Sequence, residues 1–324
     1  MRVAFVLLLL STCAFAQSDL QPQYIRAGNQ SDVVRNPQPG IGLFGGGKDQ
    51  DAAFQWLCRK ANGGDFLILR ATGTDAYDPY LQKLCPELNS VATLIIHSRE
   101  AANGAVTRNA LQHAEAIFIS GGDQSNYVKF WRDTALTELV NAAAARGVPV
   151  GGTSAGLAVL GAYAYSAMND TVQSADALAN PFHERVTIEH NFLQFPLLQH
   201  VITDSHFAKR DRMGRLVAFV SRIYSEGDHS IRGIGIDERS VVLLEPDGHA
   251  KVVGEGEGAY LLSFGPPPRT VAAGKALDAT VNVLHVAVGS EIDWKSWKAT
   301  QGEHYTLTAS NGALKSSKPD GKVY

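Results

Sequence analysis

VPVGGTSAGLAVL, residues 148–160, runs from a short apolar strand pattern (Val148, Val150) into an apolar, helix-compatible stretch (Leu157 to Leu160). The junction is Gly152-Thr153-Ser154-Ala155-Gly156. G-x-S-x-G between a strand and a helix reads as a nucleophile elbow, a turn so tight that small residues must flank the serine. It lifts the hydroxyl off the sheet edge and aims the following N–H groups at the same space. The helix start there favours negative charge as it develops. A plain glycine-rich turn would carry the same letters, but the strand on one side and the helix on the other favour the elbow.

Outward from this junction the first half alternates. Strands are predicted at Ile41-Gly42-Leu43-Phe44, 65–71, 91–96, 116–120 and 148–150, and helices at 51–61, 79–84, a stretch closing at 109–113, and 134–146. Continuous apolar strands separated by helices imply parallel strands buried on both faces. The expected fold class is α/β with a doubly wound, mostly parallel sheet. The second half predicts a strand at 197–202, a helix at 210–225, and strands at 233–236, 241–244, 249–253 and 259–264. Pro246-Asp247-Gly248 reads as a hairpin turn. Pro266-Pro267-Pro268 reads as a linker, followed by a strand at 281–288 and a polar, Ser/Lys-rich tail expected to fray. A separate domain of such a short extension would be too small to stand alone. Residues 17–324 are therefore read as one domain, with 265–324 as a C-terminal extension.

The chain has 324 residues, 45% hydrophobic and 19% charged, which supplies enough apolar side chain for a large core and excludes a disordered chain. A formal charge of −3 lacks the basic footprint of a nucleic-acid binder. Met1–Ala16 has Arg2, an apolar run from Val3 to Leu10, and Ala14-Phe15-Ala16, the pattern of a cleaved secretory signal. The expected location is secreted or periplasmic, with no membrane association after cleavage. Export leaves Cys58 and Cys85, for which a bridge and two free buried thiols are both open readings. No CxxC occurs, and His183-Glu184 and Glu189-His190 do not make HExxH, so no metal or cofactor is expected.

A nucleophilic serine needs a base and an orienting group. His206 ends a predicted strand within Thr203-Asp204-Ser205-His206-Phe207, and Glu238 follows the Gly233–Asp237 strand. Gly121-Gly122-Asp123-Gln124 ends another strand, where backbone N–H groups can approach a substrate oxygen. Arg210, Arg212 and Arg215 follow His206. Arg212 and Arg215 share a face on the expected helix, with Asp211 spaced to pair with Arg215. Arginines so grouped suit a carboxylate, which a guanidinium grips with two bonds.

Together these motifs, with Gly235-Ile236-Asp237-Glu238, resemble the cyanophycinase and peptidase E family of serine peptidases, peptidase family S51, and its cyanophycinase branch more than peptidase E. The likeness runs from about Ile41 to Phe264. It implies a class I glutamine amidotransferase-like sheet and a site in which Ser154 is the nucleophile, His206 the base and then acid, and Glu238 the group that orients the imidazole. It implies an oxyanion hole from the N–H groups of Gly122 and Ala155. Gln124, Asp204, Arg210, Arg212 and Arg215 would line the substrate subsites, the arginines for an aspartyl carboxylate and Asp204 for a substrate arginine. The implied substrate is cyanophycin, a poly-aspartate with arginine on each β-carboxyl, or a related β-aspartyl peptide. The implied assembly is a homodimer. Ser205 departs from the glutamine usual in cyanophycinases. An α/β-hydrolase esterase shares the elbow but orders its triad serine, acid, histidine. A non-catalytic amidotransferase-like binding protein is the other alternative.

Overall fold

This computed structural model describes residues 21–324, and the proposed signal, residues 1–16, lies outside them. The first half supplies β1 (Gln23–Gly28), β2 (Ile41–Phe44), β3 (Asp65–Arg70), β4 (Ser90–Ile95), β5 (Ala116–Ile119) and β6 (Val150–Thr153). Its helices are α1 (Asp51–Ala61), α2 (Tyr77–Leu84), α3 (Arg99–Asn103), α4 (Ala105–Gln112), α5 (Gln124–Trp131) and α6 (Ala135–Ala145). The elbow helix α7 (Ala155–Ala158) leads into β7 (Tyr163–Tyr165), α8 (Ser174–Ala179), β8 (Ile188–His190), β9 (Val201–Asp204), α9 (Met213–Ser225) and β10 (Arg232–Ile236). The remaining strands are β11 (Ser240–Leu244), β12 (His249–Gly254), β13 (Ala259–Phe264), β14 (Ala279–Val286), β15 (Glu291–Asp293), β16 (Lys298–Ala299), β17 (Glu303–Ser310) and β18 (Ala313–Ser316).

The five strands β4-β3-β5-β6-β2 are parallel neighbours, as their unbroken apolar character predicts. Antiparallel strands extend this central sheet at both ends, giving the order β1-β4-β3-β5-β6-β2-β11-β12-β15-β16. A second sheet has the order β18-β17-β14-β13-β10-β9-β7-β8, with β10, β9 and β7 parallel and the rest antiparallel. The α/β character is as expected, and the second sheet is what the sequence pattern did not separate.

Helix α1 buries Ala53, Phe54, Leu57, Cys58 and Ala61, one face at helical spacing. Phe54 lies 4.8 Å from Phe118 of β5 and 5.0 Å from Phe44 of β2, centroid to centroid. Truncating such a buried ring to alanine typically costs about 3–5 kcal/mol. The helix ends where Asn62 turns left-handed. Cys58 and Cys85 form a disulfide between α1 and the end of α2, with Cα atoms 6.2 Å apart. This resolves the open reading in favour of the bridge.

Helix α9 is buried on nearly all sides. Gly233 of β10 lets it seat on the second sheet, since a Cβ there would come 2.9 Å from Val220. Gly214 lets α8 approach its other side. Three expectations change. The helix expected at 210–225 starts at Met213, because Ala208–Arg210 form a 3₁₀ turn and Asp211 is left-handed at φ 49°. Pro196–Leu198 are likewise a 3₁₀ turn, so the strand expected at 197–202 begins at Val201. The C-terminal tail does not fray. Tyr305, Leu307 and Ala309 of β17 alternate inward and close the second sheet with β14 and β18, while β15 and β16 join the first.

Candidate active site

The site forms between the two sheets, at the C-terminal ends of parallel strands, where open α/β sheets place ligands. Strand β6 delivers Ser154 with φ 54° and ψ −113°, a strained conformation held by the surrounding turn. The flanking glycines are required. A Cβ on Gly156 would lie 2.0 Å from the carbonyl oxygen of Ile119, and one on Gly152 would lie 2.7 Å from Gly156. Strand β9 ends at Asp204 and delivers His206, and β10 ends at Ile236 and delivers Glu238.

Three side chains from separate strands meet. His206 Nε2 lies 2.8 Å from Ser154 Oγ, and His206 Nδ1 lies 2.7 Å from Glu238 Oε1. The Gly45-Gly46-Gly47 loop after β2 holds this arrangement. Gly45 accepts the His206 N–H at 2.7 Å, and Gly46 (φ 94°) lies flat against the imidazole, where a Cβ would be 2.5 Å from Cε1. The sequence reading passed over this loop. Its signal was three consecutive glycines at the end of a parallel strand. Asp237, buried beside Glu238, accepts the N–H of Ala208 at 2.7 Å and anchors the chain just after His206.

Burial lowers the His206 pKa below its ordinary 6.5. Its hydrogen bond to Glu238 opposes this, while the positive charges of Arg210 and Arg212 reinforce it. Glu238, hydrogen-bonded to His206, has its own pKa lowered. The site at neutral pH is therefore a neutral imidazole between a hydroxyl and a carboxylate, the protonation state of a general base. Gly121 stands beside the serine, with a Cβ position 3.5 Å from Ser154 Cβ. Tyr127 fixes that loop by donating to the carbonyls of Ser120 and Gly121, at 2.9 and 3.1 Å. The N–H groups of Gly122 and Ala155 have no acceptor among the described residues.

A cleft of about 380 Å³ opens beside Gly122. Gln124, Arg210, Arg212 and Arg215 all line it. Arg210 is exposed and has no carboxylate within ion-pair distance among the described residues. Arg212 donates to the Ser205 carbonyl at 2.8 Å, and its pKa is lowered to about 10 by burial and by its arginine neighbours, which leaves it charged at neutral pH.

Asp204 is a correction. It does not line the cleft. Its two carboxylate oxygens take Arg215 Nε at 2.7 Å and Nη2 at 2.6 Å, inside the protein. Burial works to raise its pKa, and Arg215 and Arg212 together hold it below the usual range. A carboxylate saturated in this way is not open to a substrate arginine. The expected Asp211–Arg215 pair is also absent, because Asp211 lies before the helix and accepts from the Tyr324 hydroxyl at 3.1 Å.

The family model for peptidase family S51 matches residues 48–252, a span that holds Ser154, His206 and Glu238. The chain is 32% identical over 168 residues to a cyanophycinase of Trichormus variabilis, covering 51% of each protein. It is 32% identical over 148 residues to a cyanophycinase of Geminocystis herdmanii, covering 45% of this chain and 48% of that one. The chain thus spans about half the length of these curated relatives. Among solved structures, a peptidase from an acI-B1 actinobacterium superposes with a TM-score of 0.53 at 17% identity, covering 80% of this chain and 98% of that one. That likeness is one of fold, the class I glutamine amidotransferase-like α/β arrangement.

Proposed function

Because this chain belongs to peptidase family S51, we propose that it is an exported serine-type exopeptidase acting on cyanophycin or related β-aspartyl peptides. The observation that carries the reading is the continuous hydrogen-bonded chain Ser154–His206–Glu238, at 2.8 and 2.7 Å.

The chemistry follows from that chain. Ser154 Oγ attacks the scissile carbonyl carbon while His206 Nε2 takes its proton. Glu238 holds the Nδ1–H and stabilises the imidazolium that forms. The oxyanion is met by the N–H groups of Gly122 and Ala155. The C–N bond breaks as His206 returns the proton to the leaving amine, and an acyl-enzyme remains on Ser154. Water, activated by the same imidazole, then cleaves the ester and frees the serine.

The substrate class is supported by the cleft, whose lining brings together arginines (Arg210, Arg212) and carboxylates (Asp123, Asp170, Asp211). A β-aspartyl-arginine unit carries both complementary charges. Gln124, Arg210 and Arg212 are assigned to this subsite, Arg210 to the substrate carboxylate; Arg215, also expected there, is instead taken up by Asp204 and Thr171. Export is supported by the signal-like residues 1–16 and by the Cys58–Cys85 disulfide, which suits an oxidising compartment. Homodimer formation remains part of the proposal.

The test is to incubate the purified protein with insoluble cyanophycin and weigh the soluble products by mass spectrometry. Release of β-Asp-Arg by the wild type but not by Ser154→Ala is the expected result. An intact polymer after prolonged incubation overturns the substrate assignment. N-terminal sequencing of the protein recovered outside the cytoplasm should begin near residue 17.

A further inference from the structure

With Asp204 withdrawn into its pair with Arg215, another group must meet a cation in the cleft if the peptidase reading above holds. Three carboxylates reach its lining: Asp123, Asp170 and Asp211. Among the described residues none of them has an ion-pair partner. Their surroundings differ. Asp123 caps α5, accepting the Ser125 N–H at 2.9 Å, so the positive end of that helix offsets its charge. Asp211 lies in sequence between Arg210 and Arg212 and takes the Tyr324 hydroxyl. Asp170 lies at no helix end, has no cation beside it in sequence and makes no ion pair among the described residues.

The loop that carries Asp170 is built on the arginine cluster. Arg215 Nη1 donates to Thr171 Oγ1 at 3.2 Å. The Tyr165 hydroxyl donates to the Asp170 carbonyl at 3.3 Å and accepts the Val172 N–H at 2.7 Å. The Tyr165 ring lies under the Arg215 guanidinium, 4.9 Å from its centre. Ala167 (φ 51°) and Asp170 (φ 73°) fold the loop through left-handed turns. The Asp170 side chain accepts its own following N–H at 2.7 Å through Oδ1, which leaves Oδ2 for a ligand. Arg215, 3% exposed, is thus a strut, with Asp204 on one side and the acidic loop on the other.

We infer that Asp170 is the specificity-determining residue that reads the guanidinium of the substrate, and that the Asp204–Arg215 pair acts on specificity through it, by fixing the 167–173 loop. This inference rests on the β-aspartyl-arginine reading and deepens it. A carboxylate presented on a pinned loop gives a guanidinium a charge-assisted partner without a further ordering cost.

The experiment separates binding from turnover. β-Aspartyl-arginine and its uncharged analogue β-aspartyl-citrulline are titrated calorimetrically against Ser154→Ala, alone and combined with Asp170→Asn or Asp123→Asn. Asparagine tolerates a left-handed backbone, so Asp170→Asn keeps the loop. The expected result is that Asp170→Asn lowers the arginine-over-citrulline affinity ratio at least tenfold, while Asp123→Asn changes it less than threefold. An unchanged ratio in Asp170→Asn, a larger change in Asp123→Asn, or no binding of either peptide overturns the inference. Hydrolysis by the wild type is scored separately. Peptide release with an unchanged ratio leaves the peptidase reading standing without Asp170, and a ratio change without any release retains Asp170 and removes the peptidase reading.

Discussion

Asp204 and Arg215 form a two-pronged ion pair in the protein interior, Oδ2 to Nε at 2.7 Å and Oδ1 to Nη2 at 2.6 Å, each side chain 3% exposed. Such a pair gains little over an apolar replacement, but breaking it strands a buried charge. Asp204→Ala should therefore destabilise the fold by about 3–5 kcal/mol. Urea unfolding checks this. A variant of wild-type stability with weakened substrate binding would return Asp204 to the cleft.

Ser154 sits at φ 54° with its hydroxyl on His206. Ser154→Ala should keep the fold and cut turnover by several orders of magnitude, as removal of a triad member does elsewhere. Ser154→Gly should be equally inactive yet more stable by about 1 kcal/mol, because glycine relieves the left-handed strain. Thermal melts of the two variants side by side give the difference. Substantial residual peptidase activity in either would remove Ser154 as nucleophile.

The acid limb of activity tests His206. Burial, with Arg210 and Arg212, disfavours its imidazolium, so its pKa lies below 6.5. Activity requires the neutral ring. The kcat/KM profile should fall only as pH drops below 6.5. Arg210→Gln removes one repelling charge, which raises the pKa and moves the limb toward neutral pH, independently of any loss in substrate affinity. A wild-type limb above 6.5, or an acidward shift in Arg210→Gln, contradicts the assignment.

The strand–elbow–helix context made Ser154 legible, because glycine at 152 and 156 leaves few other uses for that turn. The parallel core was legible for a similar reason, since strands such as 116–119 are apolar throughout and buried on both faces. His206 and Glu238 were legible as strand ends and through the family likeness. Their meeting with Ser154 depends on two sheets facing each other, a long-range packing outcome that leaves no local pattern. Asp204 was misplaced because a carboxylate near arginines reads alike whether it faces substrate or a buried guanidinium, and burial decides between them. The β17 alternation at Tyr305, Leu307 and Ala309 was present in the sequence but masked by surrounding polar residues.

The disulfide between Cys58 and Cys85 has a sequence separation of 27 residues. Loop-closure entropy for a loop of that size is worth about 3–4 kcal/mol. Reduction, or the double replacement by alanine, should lower the unfolding free energy by about 2–4 kcal/mol. The Ser154–His206 contact lies on other elements, so activity below the melting temperature should persist. Unfolding curves with and without reductant measure the first effect, and a loss of activity in the folded reduced protein would show that the bridge supports the site.

Asp78 offers a test of the core away from the site. Its side chain is 1% exposed, Oδ1 accepts from Thr93 at 2.6 Å, and Oδ2 has no partner among the described residues. Burial raises its pKa to about 6, from 3.8. The folded state therefore holds this proton more tightly than the unfolded chain. The resulting stability is fully present below about pH 4 and is lost as pH rises through about 6. The full shift corresponds to about 3 kcal/mol, and the first turn of α2 offsets part of it by favouring a negative charge. Asp78→Asn cannot ionise, so it should be more stable than wild type by about 1–2 kcal/mol above pH 7. The advantage should vanish near pH 4, where both chains carry a neutral side chain. Denaturation at the two pH values measures it. An advantage of the same size at both would assign the effect to packing rather than to charge.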